Sequence, residues 1–247
     1  METNRYTLMI VAVIVCSMAV GGCMVVLPGG CSREMVSGSG NVVAETRMLP
    51  AFKRIRLKGA GHVTLAQGDE QSVVVESDEN ILPLIRTRVD AGTLVISHDN
   101  HNLRPTKLAY RLTAREIDGV SISGSADVEG RGTIMTDTFE AHISGSGDMR
   151  LNLVASRLTA SIKGSGKMVF SGTAEEQCSE IKGSGDIQAF ELNSKRVTVT
   201  IAGSGDCRVQ ASDELRARIS GSGDVLYRGQ PRVESNIKGS GSLRASR

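Results

Sequence analysis

The sequence predicts an all-β protein, a right-handed parallel β-helix whose coils run to about 19 residues each. Three observations carry that expectation. The first is a recurring Ile-x-Gly-Ser-Gly-Asp or close variant, with isoleucines at 122, 143, 162, 181, 201, 219 and 237, spaced 21, 19, 19, 20, 18 and 18 residues apart. The second is period-two alternation on both sides of each glycine turn, the pattern of a strand buried on one face. The third is that no helix-length apolar periodicity separates the turns, and each coil is too short for two strands and a crossover helix. Strands must then pair with the coils above and below, stacking equivalent residues into ladders about 4.8 Å apart.

Composition agrees. The 247 residues include 28 glycines, no tryptophan and only 3% aromatics, as expected of many turns and thin side-chain layers. Net charge is +2 with acidic and basic residues interspersed, so no basic stripe exists for a nucleic-acid backbone, and nucleic acid is not an expected partner.

From the N-terminus, Arg5 precedes an uncharged run from Tyr6 to Leu27 that contains Val20-Gly21-Gly22-Cys23. A short apolar segment ending in apolar, small, small, Cys resembles a bacterial lipobox, so residues 1–22 are expected to be a lipoprotein signal peptide and Cys23 the lipid attachment site. An uncleaved anchor or a simple signal peptide are the alternatives. Cys16, after Val15, and Cys31, after Pro28-Gly29-Gly30, match a lipobox less well. Met24 is not the aspartate that commonly retains a lipoprotein in the inner membrane, so the expectation is export and anchoring, in the outer membrane if the organism has one. Residues 23–36 read as a linker.

Residues 37–247 form the expected β-helix domain, irregular over 37–120 and regular over 121–247. In the irregular part the corner motif survives as Gly38-Ser39-Gly40-Asn41 and Gly59-Ala60-Gly61-His62. Alternation recurs in Val73–Glu76 and Thr93–Ser97, with a capped helical turn or loop expected at Asp78–Pro83. His98-Asp99-Asn100-His101-Asn102 is polar and turn-prone. This part either continues the solenoid or packs on its end.

In the regular part three columns should face the core. Two residues before each isoleucine stand Val120, Ala141, Ala160, Ser179, Val199, Ala217 and Ser235. Four before the later six stand Phe139, Leu158, Gln177, Val197, Leu215 and Val233. After the turn come Val128, Met149, Met168, Ile187, Cys207, Val225 and Leu243. Gly-Ser-Gly is expected to be the corner, its first and third positions needing glycine dihedrals and its serine hydroxyl satisfying local amides, although Ala126 takes a third position. Cys207 should point inward and Cys178, on the opposite parity, outward, so no bridge between them is expected.

Ser37–Val43, the stretch from Val73-Val74-Val75-Glu76 through Asp78–Pro83 to Gly92–Ile96, and the later Gly-Ser-Gly-Asp turns together resemble the bacterial family described as putative autotransporter adhesin, head GIN domain. The resemblance spans residues 37–240, and its middle block is not a repeat, so β-helix periodicity alone would not produce it. It implies an exported or lipid-anchored β-helical domain with no catalytic residues.

The column Asp127, Asp148, Lys167, Asp186, Asp206, Asp224, Ser242 places stacked carboxylates at the corners. One carboxylate per coil supplies too few ligands for calcium, so hydrogen bonding within the turn, with compensation from Lys163, Lys182 and Lys238, is the expected role, and no metal or cofactor is expected. His62, His98, His101 and His142 are scattered, and His98 and His101 with Asp99 read as a solvated loop rather than a metal or acid–base pair. No nucleophile motif or phosphate loop is present. The sequence therefore points to a noncatalytic envelope protein with an unknown protein or glycan ligand, held to a membrane by its lipid anchor. Any glycan would be recognised without much ring stacking, since few aromatics remain beyond the signal and Phe139 and Phe170 lie in core columns. An envelope structural or assembly protein is the alternative, and a polysaccharide-active enzyme a more distant one.

Overall fold

The computed structural model describes residues 35–98 and 102–246. The expected signal segment, Cys23, Cys31, Asp99 and His101 lie outside the described residues. In chain order the elements are β1 (Met35–Ser37), β2 (Val42–Thr46), β3 (Arg54–Gly59), β4 (His62–Gln67), β5 (Ser72–Asp78), a 3-10 turn at Leu82–Leu84, β6 (Arg86–Asp90), β7 (Thr93–Ser97), β8 (Asn102–Arg104), β9 (Leu108–Ala114) and β10 (Gly119–Gly124). Five coil-length strands follow, β11 (Asp127–Gly145), β12 (Asp148–Gly164), β13 (Lys167–Gly183), β14 (Asp186–Gly203) and β15 (Cys207–Gly221). The chain finishes with β16 (Val225–Arg228), β17 (Arg232–Gly239) and β18 (Leu243–Ala245).

From β10 onward all inter-coil pairing is parallel and the motif is in register: Ile122 pairs with Ile143, and the ladder continues through Ile162, Ile181, Ile201 and Ile219 to Ile237. The protein is a parallel β-solenoid, as the repeat predicts. The unequal coil lengths never disturb the glycine corner. They are absorbed mainly at a second corner, where the ladder slips between Glu129 and Thr133, between Val169 and Ser171, and between Ala189 and Asn193, with one further slip between Ser194 and Arg196. A third corner skips Asp137, Ser156, Glu175 and Lys195, so each coil has three sides.

The glycine corner works differently from the sequence expectation. Its first glycines do sit in the glycine-favoured region, from φ +125 at Gly239 to φ +140 at Gly203. Unlike Gly61 of the first coil, at φ +125, the third glycines of the Gly-Ser-Gly corners do not, which lets Ala126 stand there. What the third position lacks is room: a Cβ at Gly205 would fall 2.1 Å from the Gly185 carbonyl oxygen and 2.8 Å from Cγ2 of Ile181 in the coil below. The β-branched methyl of each isoleucine thus fills the space of the absent side chain one coil up, which ties the two residue types together in the motif. The serine hydroxyls stay exposed, and it is the serine N–H that bonds, donating to the first glycine of the coil below, as from Ser184 to Gly164 at 2.9 Å.

The inward columns are buried through the first six repeats. Gln177 replaces the leucine or valine of neighbouring coils and is satisfied inside the core, donating to Ser179 Oγ at 2.9 Å and accepting from Ser194 Oγ at 3.2 Å. Cys207 is buried and Cys178 exposed, on the faces their parity assigned, and both are free. Burial pushes the Cys207 thiol up to about 12, so it is inert at neutral pH.

Residues 37–120 both continue the solenoid and close its end. β3 and β4, joined by Gly59-Ala60-Gly61, form a true coil beneath β10 and β11, with Gly59 in register with Gly124. Below it lie β7 and β9, also parallel, and then the direction reverses: β6 pairs antiparallel with β7, and β5 antiparallel with β9 and β2. Ile81, Leu82 and Ile85 around the 3-10 turn are buried over the end of the core. In β7, Leu94 to Ser97 are all buried rather than alternating.

Gly38-Ser39-Gly40-Asn41 is not a solenoid corner. It wraps Asp78, whose buried carboxylate accepts the N–H groups of Gly40 at 2.8 Å and Thr106 at 2.7 Å. Burial alone would raise the pKa of this group, but those N–H bonds prevail and hold it below the ordinary 3.8. A lowered folded-state pKa stabilises the fold above the unfolded value and loses that stabilisation as pH falls through the folded one. Stability measured by denaturant titration is therefore expected to be level down to about pH 5 and to fall below about pH 4, with a shallower fall in Asp78→Asn. An equally steep fall in the variant would remove Asp78 as the cause.

Candidate functional site

Two surfaces run the length of the solenoid, and both arise because equivalent residues stack. The first is the aspartate column. Its carboxylates do not bond within their own turns, as the sequence suggested, but reach one coil up. Asp127 accepts the N–H of Asp148 at 3.2 Å, Asp148 that of Lys167 at 3.2 Å, Asp186 that of Asp206 at 3.2 Å, and Asp206 that of Asp224 at 3.1 Å. Asp224 takes both the N–H and the hydroxyl of Ser242, at 2.8 and 2.7 Å, and these bonds hold its pKa down. Where Lys167 interrupts the column, the N–H of Asp186 turns to the Gly166 carbonyl at 3.0 Å.

Compensation for the stacked charge comes from backbone N–H groups, while Lys182 pairs with Glu180 at 2.6 Å. Among the described residues no three His, Cys, Asp or Glu side chains converge as a metal site. Asp186→Asn keeps an acceptor oxygen and is expected to leave Tm unchanged, whereas Asp186→Ala strands the Asp206 N–H and should lower Tm by about 2–4 °C. Thermal melts of the two variants side by side check this, and equal losses would remove the ladder's role.

The second surface is a groove of about 1360 Å³ at the third corner. Each coil contributes about three residues, from Met135–Thr138 through Val154–Ser156, Thr173–Glu175, Asn193–Lys195 and Gln210–Ser212 to Gly229 and Gln230, with Lys53, Arg54, Glu116 and Asp118 at the N-terminal end. The corner is concave because its floor is small: Ala155, Ala174, Ser194 and Ala211 stack in register. Its walls carry hydroxyls and amides, and its ionic groups largely neutralise one another. Lys53 pairs with Glu116, and Lys195 with Glu175 at 2.9 Å. Beside the groove, Glu176 lies between Arg157 and Arg196, at 2.6 Å from each. The hydrogen bond from Lys53 lowers the pKa of Glu116, and those from Arg196 and then Arg157 lower that of Glu176.

The residues considered from sequence fall elsewhere. His98 Nε2 accepts the Ala60 N–H at 3.3 Å, and its ring occupies the space beside Gly59, so it plugs the first corner. His62 lies near Glu129 and His142 on an outer strand face. Arg228 is laid over the Phe190 ring, 4.2 Å from its centroid, with Glu191 beside it. Among the described residues every Phe and Tyr is buried or half-buried, so none stands exposed in the groove for ring stacking. Sequence reading missed the groove itself. Its one signal was the small-residue column Ala155, Ala174, Ser194, Ala211, which has no motif of its own.

Residues 51–231, from the closed end to the last full coil, match the family described as putative auto-transporter adhesin, head GIN domain. The chain belongs to this family. Solved structures of similar proteins include a putative adhesin from Bacteroides fragilis, 24% identical, with a TM-score of 0.81 over 85% of this chain and 100% of that one. A putative lipid binding protein from Parabacteroides distasonis is 26% identical, with a TM-score of 0.74 over 87% of this chain and 100% of that one. A putative adhesin from the same organism is 25% identical, with a TM-score of 0.72 over 86% and 100%. No curated protein matches the chain. The family match ends one residue before β17 begins, so the head GIN domain comprises the capped end and the body of the solenoid.

Proposed function

We propose that this head GIN protein is a noncatalytic surface-binding module, anchored to a membrane through lipid on Cys23, that takes an extended polar ligand, protein or glycan, along the third-corner groove. The observation that carries the reading is the groove's form. It is long and open, floored by small residues, walled by hydroxyl and amide side chains with exposed Met135 and Val154 and with charged residues among them, and repeated at coil spacing, which suits a polymer better than a compact metabolite. Paired charges at its edge disfavour polyphosphate. The carboxylates whose pKa values move are lowered by their partners, the opposite of what a general acid for glycan cleavage needs. The adhesin descriptions of the family and of two similar structures support the same reading, and the lipid-binding description of the third is compatible with a surface role.

Two experiments test it. Protease treatment of intact and permeabilised cells carrying the tagged protein is expected to digest it on intact cells, with Cys23→Ser releasing it from the membrane fraction. Protection until permeabilisation would move the protein inside the envelope and favour an assembly role. Glycan and peptide arrays probed with the full chain in detergent should yield ligands whose binding falls at least tenfold in Thr173→Arg/Ser212→Arg, both exposed groove positions. Binding indifferent to that pair would remove the groove as the site.

A further inference from the structure

The two ends of the solenoid are unlike. The N-terminal end is closed by antiparallel strands and by Ile81, Leu82 and Ile85, all buried. At the other end, all eight residues of β17 are exposed, and the core column emerges into solvent at Val233 and Ile237, each 39% exposed. One coil earlier the equivalent Leu215 and Ile219 are buried. Among the described residues β17 pairs only with β15, so within them its outer edge presents a row of unpaired backbone N–H and C=O groups beside an apolar column, a template for another strand.

We propose that a second copy of this chain covers this end, with β17 pairing antiparallel to its counterpart about a twofold axis, so that the two solenoids meet end to end. A head-to-tail stack would instead have to dock the open coil on the closed end, where the core is already covered. A twofold contact needs only a self-complementary surface and closes after one addition.

The charges of β17 select the register. For the apolar columns to remain inward on both copies, odd-numbered residues must face odd-numbered ones. Centring on Ser235 sets Arg232 opposite Lys238, a repulsion, and centring on Ile237 leaves Glu234 and Lys238 opposite uncharged Ser240 and Asn236. Centring on Asn236 sets Glu234 opposite Lys238 twice and brings the two Ile237 side chains to either side of the axis over Ser235. Arg216 is shared between Glu214 at 2.8 Å and Glu234 at 3.5 Å, so Glu234 keeps charge to offer, and among the described residues Lys238 makes no ion pair.

The test uses the full chain in detergent, with its mass measured by sedimentation and light scattering corrected for detergent. A mass of two chains is expected, falling to one in Ile237→Lys with the circular dichroism of the β fold unchanged, because that side chain is 39% exposed within its own chain; Tm should fall only by what association contributes. Glu234→Lys should weaken the dimer at least tenfold, and Glu234→Lys/Lys238→Glu should restore it. With Cys31 and Cys178 replaced by serine, Asn236→Cys should crosslink to itself on oxidation while Glu234→Cys does not. A monomer at every concentration, a dimer indifferent to Ile237→Lys, or a crosslink stronger in Glu234→Cys than in Asn236→Cys would overturn the proposal. So would a monomer whose β17 amides exchange slowly, since the chain itself would then cover the edge. Ligand binding in the groove is measured separately, so failure here leaves that reading standing.

Discussion

Ile181→Asp is expected to unfold the central coils. The side chain is fully buried and stacked in register between Ile162 and Ile201, with Gly205 of the coil above resting on its Cγ2. An aspartate there would put a charge into an apolar column, and the column cannot relax outward, because its neighbours are held by ladder bonds on both sides. Burying an unpaired charge costs more than about 4 kcal/mol, a large part of the roughly 5–15 kcal/mol that stabilises a typical domain. Because each coil contacts only its neighbours, the damage should be local: amide exchange should accelerate first in β12, β13 and β14, with the capped N-terminal end opening last. Ile237→Asp, the same change in the last coil, should cost the fold of a single chain only about 0.5 kcal/mol beyond any loss of association. Equal losses at the two positions would mean that the isoleucine column is not the continuous core.

The difference between those two isoleucines marks what was legible in the sequence. Parity and period place both in one column, because side-chain direction in a strand is set by the backbone. Burial depends on what lies above, and that is a property of position in the stack. Ser235, Val233 and Ile237 read as core and stand exposed for this reason alone. The N-terminal part illustrates a related limit. Gly59-Ala60-Gly61 and Gly38-Ser39-Gly40 are equally good corners as local text. Only the first has a coil to stack on, while the second is shaped by Asp78 and Asn80, far along the chain. Chain order and stacking order also diverge there, since β3 lies between β7 and β10.

The aspartate column was visible in the sequence and its chemistry was misread for a geometric reason. A carboxylate in an isolated turn has only its own amides to accept, but in a stack the N–H one coil up comes within 3.1–3.2 Å. The groove was not visible at all. It is made by the absence of bulk at the third corner, and alanines and serines in a β-rich sequence carry no positional signal until the coils are superposed.

Replacing glycine by alanine separates the two jobs that one residue type performs here. Gly205→Ala keeps an ordinary backbone dihedral but drives a methyl to 2.1 Å from the Gly185 carbonyl and 2.8 Å from Cγ2 of Ile181. Neither neighbour is the free end of a flexible side chain, so the coils must part, straining bonds such as that from Ser204 N–H to Gly183 at 2.9 Å. A loss of about 3 kcal/mol is expected. Gly203→Ala in the same corner adds an unfavourable dihedral, φ +140, to a 2.2 Å clash with the Gly183 carbonyl, and should cost more. Gly132→Ala supplies the control. It has φ +80 and nothing within 4 Å of the added methyl, so only the dihedral is penalised, by about 1 kcal/mol. Chemical denaturation should rank the losses Gly203, Gly205, Gly132. If Gly132→Ala proved as damaging as Gly205→Ala, the third corner glycine would be explained by backbone conformation after all, and the isoleucine methyl beneath it would lose its role in the repeat.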